Sequence, residues 1–239
     1  MRRAAVARVA ALYDVHGNLP ALDAVLAELG DDVILVGGDV AVGPWPAEAL
    51  ERLRELGGRV RFIRGNADCE LTEPPKPERE AGPQAEILDS VRAQLSTEQL
   101  DFLGGLPLTE SIEVEGLGEV LFCHATPRSD EELLTRISPD ERWQNALSGV
   151  RQGLVVCGHT HVQFDRRIGD TRVVNAGSVG MPYEHEPGAY WAMLGPDVEL
   201  RRTVYEPGDL ESSGWTAEWP SSTPEEATEY FERFSRERA

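Results

Sequence analysis

Most histidines of this chain stand directly after apolar runs, at positions where a β-strand would end. His16 lies in YDVHGN, His124 in LFCHATP, and His159 and His161 share the segment LVVCGHTH. The residues at matching positions after other apolar runs are Asp14, Asp39 and Asn66. Imidazole and carboxylate ligands together suit manganese, iron, zinc, nickel or cobalt better than calcium. These residue types therefore predict a site for a divalent transition metal.

Each of these motifs also has a purely structural interpretation. An Asp-x-His triplet arises by chance, and GGD and GN are common turns because glycine tolerates unusual backbone angles. A single histidine after a strand is more often a hydrogen-bonded structural residue. The GHTH segment is more specific, since two imidazoles two residues apart can reach neighbouring positions in one site. The complete set, each member at a strand end, favours one shared site over seven unrelated turns.

The first half of the chain alternates strand-like and helix-like segments, which is typical of a mostly parallel sheet covered by helices. The predicted strands are Val6–Tyr13, Val33–Val36 and Val60–Ile63, and the predicted helices are Leu19–Leu29, Pro46–Leu56, Ile87–Leu95 and Thr97–Leu103. Ser96 and Gln99 are spaced as a capping box. The segment Thr72–Gln84 is rich in Pro, Glu and Lys and predicts an exposed loop. Strands can bring their ends to one edge, which would gather the seven polar side chains.

The second half predicts a mixed or antiparallel sheet, because short strand-like runs follow one another closely. The runs are Ser111–Val114, Val120–Cys123, Leu154–Cys157, Phe164–Ile168, Thr171–Val174, Tyr190–Leu194 and Val198–Tyr205, and the predicted helices between them are Asp130–Ile137 and Asp140–Leu147. Residues 206–222 have the composition of a linker. Thr223–Arg236 predicts a helix that packs on the domain or on a partner subunit of a homo-oligomer. The expected division is therefore a domain over 1–205 and a linker and helix over 206–239.

The composition argues against several classes of partner. The chain has 42 acidic and 23 basic residues and a net charge of −19. Binding to long nucleic acids needs Lys and Arg contacts with phosphates and is not expected, whereas a small phosphorylated substrate is compatible because bound cations reverse the local potential. Three cysteines without Cys-x-x-Cys spacing fit a reducing compartment. With no cleavable signal peptide and no membrane-length apolar run, a cytoplasmic protein is expected.

The ordered motifs DVHGN, GGD, GNAD, CHAT and GHTH, followed by NAGSVG, resemble those of the calcineurin-like metallophosphoesterase superfamily. They are most similar to its small bacterial and archaeal phosphodiesterase branch, and the likeness runs from about Val6 to Leu200. It implies an α/β fold, a four-layer α/β/β/α sandwich with two mixed β-sheets, and two divalent metal ions between the loops. The implied ligands are Asp14, His16, Asp39 and His161 for one ion and Asp39, Asn66, His124 and His159 for the other. Asp39 would then bridge the two ions.

The same likeness implies hydrolysis of a small phosphodiester or activated phosphate ester by attack of a metal-bridging hydroxide. Asp39, Asn66 and His124 are also the predicted catalytic residues. Two metal ions would lower the pKa of the attacking water and offset charge on the phosphoryl group. An alternative is a non-catalytic metal-binding scaffold, because one retromer subunit resembles this superfamily and acts as a scaffold after losing ligands. All seven candidate ligands are present here. A nuclease for short oligonucleotides or cyclic nucleotides is a further alternative.

The third motif departs from the family pattern. Many members read GNH there, and that histidine protonates or stabilises the leaving oxygen, whereas this chain has Ala67. General acid catalysis is typically worth about 10²–10⁴-fold, so we predict a preference for phosphodiesters or activated esters over alkyl phosphomonoesters. Asp68, which would orient the missing histidine, is expected to cap its loop or to pair with Arg64.

Three further residues are candidate substrate contacts. Arg64 precedes the GNAD motif, Ser178 lies in NAGSVG, and Trp45 follows the GGD motif in VGPWP. They could bind phosphate, line the rim of the site and stack on a base or leaving group, respectively. Their structural alternatives are a surface arginine, a tight turn and a tryptophan packed over a helix start. His185 matches no ligand motif and is expected to be solvated or structural.

Overall fold

A computed structural model describes residues 4–74, 82–208, 213, 215 and 222–237 of the chain. Its first three strands and two helices follow the predicted order: β1 is Val9–Leu12, α1 is Leu19–Ala27, β2 is Val33–Val36, α2 is Pro46–Arg54 and β3 is Val60–Phe62. A single 3₁₀ turn, Gly57–Arg59, precedes β3. Helix α1 begins as predicted, since the Asn18 side chain accepts a hydrogen bond from the Ala21 N–H.

Three helices follow β3 before the second run of strands. They are α3 (Asn66–Thr72), α4 (Pro83–Gln94) and α5 (Thr97–Gly104). The predicted capping box of α5 is confirmed, because Ser96 and Gln99 each bond the other's backbone N–H. Helix α3 was missed by the sequence analysis, which interpreted its start as a turn. Residues 75–81 of the predicted loop lie outside the described residues.

The remaining elements run from β4 to α7. They are β4 (Thr109–Val114), β5 (Gly118–Cys123), α6 (Asp140–Ala146), β6 (Leu154–Cys157), β7 (Phe164–Ile168), β8 (Thr171–Asn175), β9 (Ala189–Leu194), β10 (Val198–Thr203) and α7 (Pro224–Glu237). Most of the predicted linker over 206–222 lies outside the described residues.

The predicted helix over Asp130–Ile137 is wrong, because the segment consists of turns and extended chain. Two N–H groups that helical carbonyls would bond in this segment are bonded to hydroxyl groups instead. The Ser138 hydroxyl accepts from the N–H of Thr135, and the Thr135 hydroxyl accepts from the N–H of Ile137. Such local side-chain bonds compete with helix formation.

The strands form two mixed five-stranded sheets, which confirms the predicted fold class. The first has the order β10-β9-β1-β2-β3 and the second the order β4-β5-β6-β8-β7. Strands β1, β2 and β3 are parallel, as are β5, β6 and β8, and antiparallel strands complete each sheet. The prediction that the second half forms a mixed or antiparallel sheet is therefore only partly right, because not all of its strands belong to the second sheet. Strands β9 and β10 return to the first sheet, where they cover the other edge of the fully buried β1.

Alternate residues along the strands build two separate sides of the core, as the period-two geometry of a strand requires. Ala11, Leu35 and Phe122 lie in one cluster between the two sheets. Ala10, Leu12 and Ile34 belong to the cluster that packs against helices such as α1 and α2, and Leu121 and Cys123 belong to the one that packs against α6. The order of layers is thus helix, sheet, sheet, helix. None of the helices in the described ranges combines the length and apolar composition needed to cross a membrane.

Candidate metal centre

The seven candidate ligands come together at the carboxyl ends of the central parallel strands. Asp14 and His16 follow β1, Asp39 follows β2, and Asn66 opens α3 just after β3. From the other sheet, His124 follows β5, and His159 and His161 follow β6. Because the two sheets pack face to face, the two sets of loops meet at one edge of the sandwich.

The backbone at this edge is held in an uncommon conformation. In the described part of the chain, the non-glycine residues with positive φ are Asp14 (52°), His16 (46°), Asp39 (51°), His159 (65°) and His161 (57°). All five are candidate ligands. A left-handed backbone costs energy for a residue with a Cβ, and such residues cluster at functional sites. The strain therefore marks five of the seven residues that the sequence motifs single out.

Close backbone packing explains one glycine of these motifs. A Cβ placed on Gly65 would lie 2.1 Å from Oδ1 of Asp39. The GN motif is thus needed for space beside the carboxylate and is more than a turn signal.

Carboxylate oxygens lie among the Nε2 atoms of the histidines. Oδ2 of Asp39 is 3.5 Å from His124 Nε2 and 3.9 Å from His16 Nε2. Oδ1 of Asp14 is 3.3 Å from His161 Nε2 and 3.9 Å from His124 Nε2. The two carboxylates therefore connect histidines from both sheets.

The remaining two candidate ligands lie beside His124. Oδ1 of Asn66 is 3.2 Å from His124 Nε2. The His159 ring centroid is 5.0 Å from that of His124, and the His159 N–H donates to Oδ2 of Asp14 at 2.8 Å. All seven side chains thus belong to one connected cluster.

Three of the histidines are oriented in the same way by backbone carbonyls. Nδ1 faces the carbonyl of Val42 in His16 (3.0 Å), of Gly37 in His124 (2.8 Å) and of Met181 in His161 (2.6 Å). The carbonyl partner assigns a proton to Nδ1, which in a neutral ring leaves a lone pair on Nε2. This is the usual outer arrangement of metal-binding histidines.

This arrangement fits a cation better than a hydrogen-bonded cluster. Nε2 of His16 and Nε2 of His161 are 3.3 Å apart, and both carry lone pairs in the tautomer set by the carbonyls. Oδ1 of Asp14 and Nε2 of His159 are buried and have no hydrogen-bond partner in the described structure. Buried polar atoms without partners are costly, and a divalent cation among these lone pairs would satisfy them.

Acidic and histidine ligands can be grouped by distance into two overlapping sets. One contains Asp14, His16 and His161, and the other contains Asp14, Asp39 and His124, with the ligand atoms of each set within 4.8 Å of one another. Asp14 belongs to both sets. The family likeness gave the bridging role to Asp39, and its Oδ2 does lie within 3.9 Å of histidines from both sets. The assignment of Asp39 as the bridge stays a prediction.

The cluster strongly perturbs its own titration. Burial favours the neutral form of the Asp39 carboxyl, but His124, His16 and His159 outweigh burial and hold its pKa below the usual value. Burial likewise opposes the charged form of His124, but Asp39 and Asp14 raise its pKa to about 10. Burial and the neighbouring His124 lower the pKa of His159 to about 4. Without a cation, the two carboxylates therefore favour the charged form of His124, whereas burial and His124 favour the neutral form of His159.

Cation binding should release a proton from this cluster. A metal ligand needs a free lone pair on Nε2, so His124 must lose the proton that its raised pKa of about 10 retains at neutral pH. We expect Mn²⁺ binding near neutral pH to release about one proton, and affinity to rise about tenfold per pH unit below the pKa of His124. Calorimetric titrations in buffers of different ionisation enthalpy measure the released protons. Equal heats in all buffers would contradict the expectation.

Asp68 supports the loops that carry candidate ligands. Its carboxylate accepts hydrogen bonds from the N–H groups of Asp39, Val40 and Gly65 at 2.9 to 3.1 Å. The expectation that Asp68 caps its loop is confirmed, whereas Arg64 pairs with Asp130 at 3.2 Å. The carboxylate thus ties the loop after β2 to the start of α3.

The three candidate substrate residues have different surroundings. Arg64 retains partial exposure beside Asp130. Trp45 is partly buried at the start of α2 and lies close to Gly208. Ser178 is fully buried, and its hydroxyl donates to the Asp14 carbonyl and accepts from the Met181 N–H. In this structure the Ser178 hydroxyl connects the loop after β1 to Met181, and substrate contact by Arg64, Trp45 or Ser178 stays a prediction.

Some contributors to the site left no signal in the sequence. The carbonyl groups of Gly37, Val42 and Met181 orient three histidines, but every residue has a carbonyl. The Tyr183 ring, which no ligand motif includes, stacks on that of His161 with centroids 5.2 Å apart. His185 is exposed, as expected, and lies 3.2 Å from Glu225.

A buried cluster of histidines and carboxylates at one edge of two packed sheets defines a candidate metalloprotein. The model of the calcineurin-like phosphoesterase superfamily domain matches residues 8–195 of the chain. The chain therefore belongs to the calcineurin-like phosphoesterase superfamily, which agrees with the likeness read from its motifs.

Curated relatives are similar at low identity. Phosphodiesterase YfcE of Escherichia coli is 26% identical over 77% of this chain and 85% of its own length. A symmetrical bis(5'-nucleosyl)-tetraphosphatase of Pectobacterium atrosepticum is 31% identical over 89% of this chain and 82% of its own length. An uncharacterised protein of Methanocaldococcus jannaschii is 28% identical over 65% of this chain, and the match spans only 63% of that relative.

A solved structure is similar over almost the whole chain. The metallophosphoesterase of Sphaerobacter thermophilus superposes with a TM-score of 0.69 and 25% identity, covering 95% of this chain and 98% of the other. The α/β fold with two mixed sheets is thus the fold of this family.

Proposed function

We propose that this chain hydrolyses a small phosphodiester or activated phosphate ester with two divalent cations, manganese being the first to test. The observation that carries the proposal is the buried cluster in which lone pairs of His16 and His161 face each other and Asp14 Oδ1 has no hydrogen-bond partner. Membership in a phosphoesterase superfamily supports the reaction class. Relatives named as a phosphodiesterase and a tetraphosphatase both act on phosphate linkages.

The proposed ligands are Asp14, His16, Asp39, Asn66, His124, His159 and His161. When bound, two divalent cations would activate water and offset the charge that develops on the phosphoryl group. The chain's own part is to hold the ligand atoms in place before substrate arrives. Carbonyls of Gly37, Val42 and Met181 fix three rings, and Asp68 fixes the loop that carries Asp39.

The proposed substrate is small. The net charge of −19 opposes binding of long nucleic acids, because their affinity depends on contacts from Lys and Arg. Short oligonucleotides and cyclic nucleotides stay within the proposed range. The three cysteines are free, which is compatible with the proposed cytoplasmic location.

A chelation experiment separates the enzyme from a metal-binding scaffold. We expect EDTA to abolish hydrolysis of bis-p-nitrophenyl phosphate and Mn²⁺ to restore it, because the proposed reaction needs the cations both to activate water and to offset charge on the phosphoryl group. Co²⁺, Ni²⁺, Zn²⁺ and Fe²⁺ are added in parallel to rank the metals. Metal uptake without turnover of diesters, cyclic nucleotides or monoesters would instead support the scaffold.

A further inference from the structure

We propose that the C-terminal helix α7, acting through the loop of residues 181–185, holds His161 in the orientation that a metal ligand requires. Tyr183 and Phe231 are the positioning residues in this connection. Helix α7 lies beyond the part of the chain that matches the family model, which ends at residue 195. The inference rests on the proposed metal centre, but it does not depend on which ester is hydrolysed.

The loop of residues 181–185 contacts His161 on several sides. The Met181 carbonyl faces Nδ1 of His161 at 2.6 Å, and the Tyr183 N–H donates to the His161 carbonyl at 3.1 Å. The Tyr183 ring lies nearly parallel to the imidazole, with centroids 5.2 Å apart and planes 16° apart. His161 has a φ of 57°, so these contacts hold a residue whose backbone is strained.

The same loop contacts α7 at two points. The Phe231 ring lies 6.1 Å from the Tyr183 ring. Further along the loop, His185 lies 3.2 Å from Glu225, although this pair is exposed and contributes little by itself. Tyr183 therefore lies between the metal ligand His161 and the helix residue Phe231.

Helix α7 is itself fixed to the domain by one face. Its buried or partly buried residues recur at helical spacing, as expected for a helix that packs by one side. They are Pro224, Ala227, Thr228, Phe231, Glu232, Phe234 and Ser235.

A buried carboxylate anchors this face of α7. Glu232 is 5% exposed and accepts hydrogen bonds from the hydroxyls of Thr135 and Ser138, while Arg142 lies 3.6 Å away. A buried charge is tolerated only where it is bonded in this way, so its partners fix the position of the helix along its axis. Phe231, which directly precedes Glu232 in the chain, is thereby held against Tyr183.

The ligands differ in how they are supported, and this makes the connection testable. The Nδ1 atoms of His16 and His124 face carbonyls of Val42 and Gly37, which belong to loops after β2. His161 takes its carbonyl and its stacked ring from the loop that contacts α7. Substitutions that disturb α7 should therefore lower the affinity for the ion that His161 binds more than the affinity for the ion beside His124.

The experiment compares full-length variants by Mn²⁺ binding, followed by electron paramagnetic resonance and by metal analysis after dialysis. For Phe231→Ala and Tyr183→Ala we expect one of the two ions to bind about tenfold more weakly, because loss of outer contacts to a ligand typically costs 10–100-fold in affinity. Glu229→Ala is the control, since Glu229 lies on the exposed side of the same helix. Tyr183→Phe keeps the stacked ring and should bind both ions as the unaltered protein does.

Unchanged Mn²⁺ affinities in Phe231→Ala and Tyr183→Ala would overturn the proposal, even if both variants unfolded at lower temperature. If either alanine variant fails to fold, Phe231→Leu and Tyr183→Leu retain bulk while removing the rings, and the same binding criterion applies to them. A protein that binds two ions but hydrolyses no ester would refute the proposed function alone. Weakened binding of both ions to the same extent would also refute the selective role of α7.

Discussion

Replacing Asp39 with asparagine is expected to lower turnover by at least about 10³-fold, since loss of one preorganised electrostatic group already costs roughly 10²–10³-fold. Oδ1 of Asp39 accepts the Ala67 N–H at 2.8 Å, and asparagine can keep that bond. Oδ2 faces His124 and His16, and there asparagine would place an NH₂ group without a lone pair for a cation. The variant should therefore fold while losing metal as well as activity.

The measurements for this prediction are steady-state hydrolysis of bis-p-nitrophenyl phosphate and metal content after dialysis. Asp32→Asn provides the control, because Asp32 is also a buried aspartate but pairs with Arg8 away from the cluster. We expect the control to keep full turnover and full metal content. Retention of both properties in Asp39→Asn would contradict the metal centre itself.

The second large expected effect is a preference for aryl diesters over alkyl phosphomonoesters. We expect the preference to be about 10²–10⁴-fold, because a general acid usually contributes a rate factor of this size. An alkoxide is a poor leaving group and needs a proton as its bond breaks. A nitrophenolate leaves without one. An enzyme that lacks an acid at the leaving oxygen should therefore depend steeply on the pKa of the leaving group.

The structure leaves no histidine for this proton transfer. Ala67 stands where many family members have one, and its N–H is bonded to Asp39. Four of the five histidines belong to the ligand cluster, and the fifth, His185, is 64% exposed beside Glu225. Burial and the nearby Asp39 raise the pKa of Asp68 to about 7, but both of its carboxylate oxygens accept backbone N–H groups beneath the loop. Asp68 is therefore committed to structure.

The assay uses a series of aryl and alkyl phosphate esters, together with a cyclic nucleotide, at saturating Mn²⁺. A plot of log kcat/KM against leaving-group pKa should have a steep negative slope. A flat plot, or faster hydrolysis of an alkyl monoester than of the activated diester, would show that another group donates the proton. The comparison is made within one protein, so differences in metal loading between variants do not affect it.

Local sequence patterns predicted the elements where hydrophobic periodicity and capping agree. Strand β2 begins and ends at the predicted residues, and the capping box of Ser96 and Gln99 forms as expected. The prediction failed for 130–137, where the hydroxyls of Ser138 and Thr135 bond the N–H groups of Thr135 and Ile137, which a helix would have bonded to its own carbonyls. The missed helix α3 begins inside a ligand motif, and GN was interpreted there as a turn.

The sequence by itself determined the types of the candidate metal-binding side chains and their places after apolar strands, because coordination chemistry depends on residue type and strand ends follow from local patterning. Only the tertiary structure decided that β9 and β10 complete the first sheet. It also decided that the Met181 carbonyl orients His161 and that α7 supports the ring of Tyr183 through Phe231. Strand pairing and carbonyl contacts join residues far apart in the chain, and every residue has the same backbone groups, so no local pattern of side chains encodes them.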